Sequence, residues 1–149
     1  MTVVNVAREM KPNPFVIPSD AILDVAVQLM LKYGIRHLPV LKDGRLVGVL
    51  NDRALKQALM LGERNSLTAA DVMIPDPMTV EADEIVSDVA QKMADTKDDC
   101  AIVVDGKGSV IGIFTSTDSM RLLHRVLDQS DSEESRAEEL TDCLWRVPG

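Results

Sequence analysis

Aromatic side chains are nearly missing from this chain, at 3% of 149 residues. The core must therefore be aliphatic, built from Val, Ile, Leu, Met and Ala. Stacking platforms for single-stranded nucleic acid are not expected. Cysteine is equally scarce. Cys100 and Cys143 lie far apart, His37 and His124 are as scattered, and no spacing suits a zinc site or a disulfide framework. No stretch approaches the roughly 18 apolar residues of a membrane helix. Residues 1–10 lack the apolar run of a signal peptide. Clustered bases are also lacking: 16 Lys and Arg stand against 24 Asp and Glu, for a net charge of -8. Duplex nucleic acid, which is held through clustered Lys and Arg, is not an expected partner. There is no P-loop, no ordered Ser-His-Asp or Cys-His set and no flanking carboxylate pair, so no catalytic residue is assigned. The expectation is a cytoplasmic protein with reduced thiols, no metal, no membrane and no enzymatic activity.

What is present is ordinary globular material, 46% hydrophobic and 27% charged. The negative charge gathers at the end. From Asp128 onward seven acids (Asp128, Asp131, Glu133, Glu134, Glu138, Glu139 and Asp142) face only Arg136 and Arg146. Residues 128–149 read as an acidic tail with a mobile stretch at Ser130–Ser135. Leu140, Leu144 and Val147, with Trp145 beside them, would line a short helix or a frayed terminus.

An internal repeat organises the rest. Met10-Lys11-Pro12-Asn13-Pro14 matches Met73-Ile74-Pro75-Asp76-Pro77, and Asp20 matches Asp83, at an offset of 63. Asp24-Val25-Ala26 matches Asp88-Val89-Ala90 at 64, as do Val40 with Val104, Gly44 with Gly108 and Gly48 with Gly112. One inserted residue near Glu84 would reconcile the two. Each copy opens with a short extended piece, Phe15-Val16-Ile17 or Met78-Thr79-Val80. A helix follows. In copy one Ser19 would cap it, Ile22, Val25, Ala26, Leu29, Met30 and Tyr33 would form its stripe, and Gly34 would end it. In copy two the stripe is Val86, Val89, Ala90 and Met93. A hairpin comes next: 37–41 with 46–50 across Asp43-Gly44, then 101–104 with 110–114 across Gly106-Lys107-Gly108. Helices over 52–61 and 116–127 close the copies. The predicted fold is α+β, two β-α-β-β-α repeats spanning 7–62 and 70–127, joined by a linker at 63–69. One copy alone would be marginal, whereas two can share a core.

The chemistry concentrates at Gly112-Ile113-Phe114-Thr115-Ser116-Thr117-Asp118, where a strand meets a helix. Backbone N–H groups at such a junction favour anions. Thr115 adds a hydroxyl, and Asp118 could accept both hydrogen bonds of a ribose diol. The same Thr-x-x-Asp is also a capping box that would satisfy the helix's own amides.

These segments resemble CBS motifs. In copy one the resemblance lies in Gly34-Ile35-Arg36-His37-Leu38-Pro39-Val40 and Gly44-Arg45-Leu46-Val47-Gly48-Val49-Leu50. In copy two it lies in Ile111-Gly112-Ile113-Phe114-Thr115 with Asp118. The whole is similar to small stand-alone bacterial CBS-pair proteins, acetoin-utilisation-B-like ones among them. That resemblance implies a pseudo-two-fold CBS-domain pair (a Bateman module) with a cleft for AMP, ADP, ATP, NAD, S-adenosylmethionine or a cyclic dinucleotide. It implies a phosphate and ribose contact at Thr115 and Asp118, with no cofactor required. Met78, Thr79 and Val80 would line the adenine edge, Cys100 and Ala101 would sit opposite, and Ile113 would lie under the base. Arg36 and His37 would approach phosphates. Copy one departs from the pattern, with Asn51 where the family's Thr stands and Ala54 where its ribose-binding Asp stands. Its site should be weak, altered or empty, and Asn51 should act as an N-cap. The resemblance also implies a homodimer and a regulated protein partner. The other reading is a ligand-free structural or dimerisation module.

Overall fold

The computed structural model describes the backbone at residues 3–62 and 65–145, and side chains there up to residue 138. The Thr68 and Met10 regions explain the architecture. Two copies of an α+β unit each build a four-stranded sheet, and each sheet takes one edge strand from the other copy. In copy one the strands are β2 (Ile17–Pro18), β3 (His37–Lys42) and β4 (Arg45–Asn51); in copy two they are β6 (Thr79–Glu81), β7 (Cys100–Val104) and β8 (Val110–Thr115). The borrowed edges are β1 (Lys11–Pro12), antiparallel to β8, and β5 (Ile74–Pro75), antiparallel to β4. The inner pairs β3–β4 and β7–β8 are antiparallel, while β2–β3 and β6–β7 are parallel.

The Met-x-Pro-x-Pro repeat is the device that makes this exchange. Pro12 lies opposite Gly112, and Pro75 opposite Gly48. Proline cannot donate to a ladder and is tolerated at such edges. Met10 rests on Gly112, and Met73 on Gly48, so closely that a Cβ at either glycine would overlap the methionine Sδ. Asn13 and Asp76 then turn the chain at φ 48° and 49°, the left-handed region that Asn and Asp enter more readily than most residues.

The short helices follow the same exchange. In α1 (Val6–Glu9), Val6 and Ala7 donate to the carbonyls of Glu84 and Ala82 in copy two. In α4 (Ala69–Val72), Ala69 and Ala70 donate to Ala21 and Ser19 in copy one, and Ala69 is part of copy one's core. Residues 63–69 were expected as linker; within that stretch Thr68 caps α4, its N–H donating to the Asp71 carboxylate at 2.9 Å. That bond holds the Asp71 carboxyl below the usual carboxylate range.

The long helices are α2 (Leu23–Tyr33) and α5 (Val86–Thr96). Leu23, Ala26 and Met30 are buried in one, and Val86, Val89 and Met93 in the other. Each pair differs by 63, which corrects the expected shift to 64 before the helix. The matching tripeptides Asp24-Val25-Ala26 and Asp88-Val89-Ala90 would equate Val25, 42% exposed, with the fully buried Val89. The register stays at 63 from His37 and Cys100 to Val40 and Val103, and is 64 from Gly48 and Gly112 to Asn51 and Thr115. The extra residue lies in the second hairpin, where the Asp105 carboxylate accepts from the Lys107 and Ser109 N–H groups at 2.9 Å each. The shorter first turn is Asp43-Gly44, with both φ angles positive, as a type I′ hairpin requires. Helix α2 begins at Ile22 without a side-chain cap, so Ser19 is not its N-cap. Ile22, Val25 and Tyr33 are exposed. Gly34 ends α2 at φ 62°, and Lys97 takes the same conformation after α5.

Strand alternation gives each sheet two faces. Leu38, Val40 and Leu50 join the buried side chains of α2, α3 (Asp52–Met60) and α4. On the opposite faces Val49, Cys100, Ile102 and Ile113 form a second cluster between the sheets.

Helix α6 runs from Ser116 to Trp145, well past the expected end at Leu127. The stretch at Ser130–Ser135, expected to be mobile, is helical. No Gly or Pro interrupts residues 116–147, so polarity alone does not stop the helix. Its side chains from Leu123 to Glu138 are exposed. The side chains of Leu140, Leu144 and Trp145, and all of Val147, lie outside the described residues.

The methionine–glycine contacts predict the cost of a methyl group. Gly48→Ala would also set its Cβ 2.8 Å from the Ile74 carbonyl, against 3.2 Å from that of Lys11 for Gly112→Ala. Both variants should lose about 1–3 kcal/mol, with Gly48→Ala losing more. Urea unfolding midpoints measure this; unchanged midpoints would disprove the contact.

Candidate ligand site

A cleft of about 190 Å³ opens between the two sheets. Copy one supplies His37, Val49, Asn51 and Arg53. Copy two supplies Ile74, Asp76, Pro77 and Met78 from its exchanged segment, and Lys97, Asp98, Asp99 and Cys100 from the turn into β7. The local reasons are plain. Ile74 pairs with Val49 in the sheet, and the turn at Asp76 brings Pro77 and Met78 back to the cleft. His37 and Asn51 are partners in the β3–β4 ladder.

The polar groups there are partly committed. The Asn51 side chain accepts from the Ala54 N–H at 2.8 Å, so it is the N-cap of α3. Ala54 offers no carboxylate. Burial pushes the His37 imidazole below its usual 6.5, outweighing the upward pull of Asp99 and Asp52; Arg36 and Lys11 push it down further. Burial, with Asp98 and Asp99, pushes the Cys100 thiol up to about 12. Cys100 is therefore a protonated, inert packing residue.

At the far end of copy two, β8 finishes at Thr115, whose ladder partner is Cys100. Thr115 is 8% exposed, and so is Asp118, in the first turn of α6. These are the buried polar side chains among the described residues.

A family model for the CBS domain matches twice, at residues 3–61 and 69–125. The chain belongs to the CBS-domain family. It is 33% identical over 137 residues to a CBS domain-containing protein of Dictyostelium discoideum, covering 84% of this chain and 94% of that one. Among solved structures, the CBS domain pair of protein MJ0100, in complex with 5′-methylthioadenosine and S-adenosyl-L-methionine, superposes with TM-score 0.76 at 29% identity. The match covers 83% of this chain and 98% of that one. The protein CBSX2 in complex with AMP superposes with TM-score 0.69 at 27% identity, covering 82% and 97%. Several longer relatives carry enzyme names, and the chain spans only 20% to 30% of their length.

The CBS pair distributes the expected site residues unevenly. Met78, Cys100 and His37 share the cleft at Asn51. Ile113 lies in the inter-sheet cluster with Cys100, whose ladder partner is Thr115. Ala101 pairs with Phe114, so alternation turns its methyl to the opposite face from Cys100. Val80 is buried beside Val103, while Thr79 is exposed. Arg36 is exposed, and its carbonyl accepts from the Asp52 N–H at 2.9 Å. Motif-by-motif reasoning grouped Met78 and Cys100 with Thr115 and did not bring Lys97, Asp98 or Asp99 to the cleft at Asn51. The crossed edges are the reason: copy two's opening segment flanks β4, and copy one's flanks β8. A Pro at the edge position of each repeat was the available signal. Among the described residues, no group of three His, Cys, Asp or Glu could hold a metal. No helix there is long and apolar enough to cross a membrane.

The depressed His37 makes a pH prediction. A base that is harder to protonate when folded leaves the unfolded state binding more protons below 6.5, so stability should fall as pH drops from 7.5 to 5.5. His37→Gln should lose less stability over that window. Equal pH dependence by urea unfolding would show that His37 is not desolvated.

Proposed function

We propose that this CBS pair is a regulatory sensor for an adenosine-containing ligand, such as AMP, ADP, ATP, NAD or S-adenosylmethionine, and that it catalyses nothing. The carrying observation is that two CBS pairs of 29% and 27% identity are complexes with adenosine compounds over nearly the whole of the matched fold. The principal ligand element is Thr115 with Asp118, a hydroxyl and a carboxylate three residues apart in the chain. Their burial supports a sequestered role over a solvated one. The ligand would bridge material from both copies and bias their packing, to an extent set by its differential affinity for the two states. The exposed Met60 and Leu61 at the end of α3 support a homodimer, which would pass that bias to a protein partner in the cytoplasm.

A ligand-free structural module is the second reading. It is favoured at copy one, where Asn51 is committed to its own helix and Ala54 replaces a carboxylate.

A thermal-shift series with AMP, ATP, NAD and S-adenosylmethionine separates the two. A true ligand at a hundredfold excess over Kd should add about 2.7 kcal/mol, and Asp118→Ala should abolish the gain. No shift with any of the four, or an equal shift in Asp118→Ala, would favour the structural reading.

A further inference from the structure

Two side chains at the structural joints of this chain are oxidisable, Met10 and Met73. Among the other methionines with described side chains, Met30 and Met93 are buried, and Met60 and Met120 are 86% and 69% exposed. Met10, Met73 and Met78 lie between, partly buried. Met10 and Met73 are the pair laid on glycine, at Gly112 and Gly48. A thioether needs no ionisation to react with a peroxide, whereas a thiol does. Cys100 is buried and its thiol stays protonated, so it competes poorly for the oxidant.

Oxidation at either joint meets a specific obstacle. A hydroperoxide gives one oxygen to the sulfur. The O–O bond breaks as the S–O bond forms, sulfur loses two electrons, and the proton passes to the leaving oxygen, released as water or an alcohol. The new oxygen accepts hydrogen bonds and donates none. The space beside each glycine is already filled by the sulfur. The carbonyl oxygens of Lys11 and Ile74 come next, 3.2 and 2.8 Å from where a Cβ on Gly112 or Gly48 would stand. They are acceptors too, so the oxygen gains neither room nor a donor there. A sulfoxide must leave the glycine. Each sulfur anchors a strand of two residues that pairs at two positions. Beyond Met73 that segment carries Ile74, Asp76, Pro77 and Met78 to the cleft at Asn51. Beyond Met10 it carries Asn13, whose N–H donates to the Ile111 carbonyl of β8 at 3.0 Å.

We infer that Met10 and Met73 are paired sites of reversible oxidation by a hydroperoxide, and that a sulfoxide at either one releases the crossed edge strand it holds. The inference stands on the methionine–glycine contacts and goes beyond the adenosyl reading without resting on it. Reversal belongs to methionine sulfoxide reductases, one for each sulfoxide epimer.

The test exposes the full chain to hydrogen peroxide, removes it, and restores thiols with dithiothreitol. Peptide mass then reads the oxygen added at each methionine, and amide hydrogen exchange reads the edges. Exchange in segments 10–13 and 73–76 should quicken roughly five- to 150-fold, the range of one overpacking defect. Methionine sulfoxide reductases A and B should return it to the starting rate. Met60→Leu/Met78→Leu/Met120→Leu should keep the whole response, and Met10→Leu/Met73→Leu, which conserves volume, should lose it. If the double variant does not fold, the triple variant and the reductases still decide. Four results would each overturn the inference: Met10 and Met73 unoxidised where Met60 and Met120 are converted, conversion without faster exchange, a response lost in the triple variant, or one that the reductases leave in place. None of them bears on adenosyl binding.

Discussion

A methionine sulfur laid on a bare glycine Cα is the contact on which the rest of this molecule depends. Met10 over Gly112 and Met73 over Gly48 bring a short edge strand from each copy against the other copy's sheet. Any side chain at either glycine would hold the strands apart. With the contact made, each copy completes its partner's sheet, and α1 and α4 hydrogen-bond across the repeat boundary. The two repeats are therefore not beads joined by a linker. Each lacks an edge that only the other provides, and Ala69 of copy two completes copy one's core, which is how units of this size overcome the marginal burial of small domains.

The same exchange decides what surrounds the cleft at Asn51. Because the opening segments are crossed, that cleft mixes copy one's strand end with copy two's turn. At Asn51 the mixture is a committed amide, a methyl at Ala54, a desolvated imidazole and nearby charges of both signs. Where β8 gives way to α6 the sequence supplies a hydroxyl at Thr115 and a carboxylate at Asp118 instead. Duplicated sequence has thus produced two chemically unequal positions, and the inequality lies in a few side chains rather than in the backbone.

Much of the fold was legible in the sequence. The repeat, both hairpins, the Gly34 stop and the Asn51 cap follow from local rules and appear in the structure. What misled was coincidence within the repeat. Three identical residues in a row set the helices one position out of register, and only burial at 23, 26 and 30 against 86, 89 and 93 reveals the true alignment. The long α6 was underestimated because serines and acids look mobile when nothing in the sequence marks their helical continuity. The residues around Asn51 were missed for a different reason. Edge pairing is a long-range choice, and local pattern carries it only through a proline that lacks an N–H to donate.

The central claim is that crossed edges leave two unequal positions, of which one takes an adenosine compound. Counting bound ligand by equilibrium dialysis with AMP and with S-adenosylmethionine tests it most directly. The account predicts saturation at one molecule per chain for at least one of them. Two equivalent molecules per chain, or none with either compound, would contradict it.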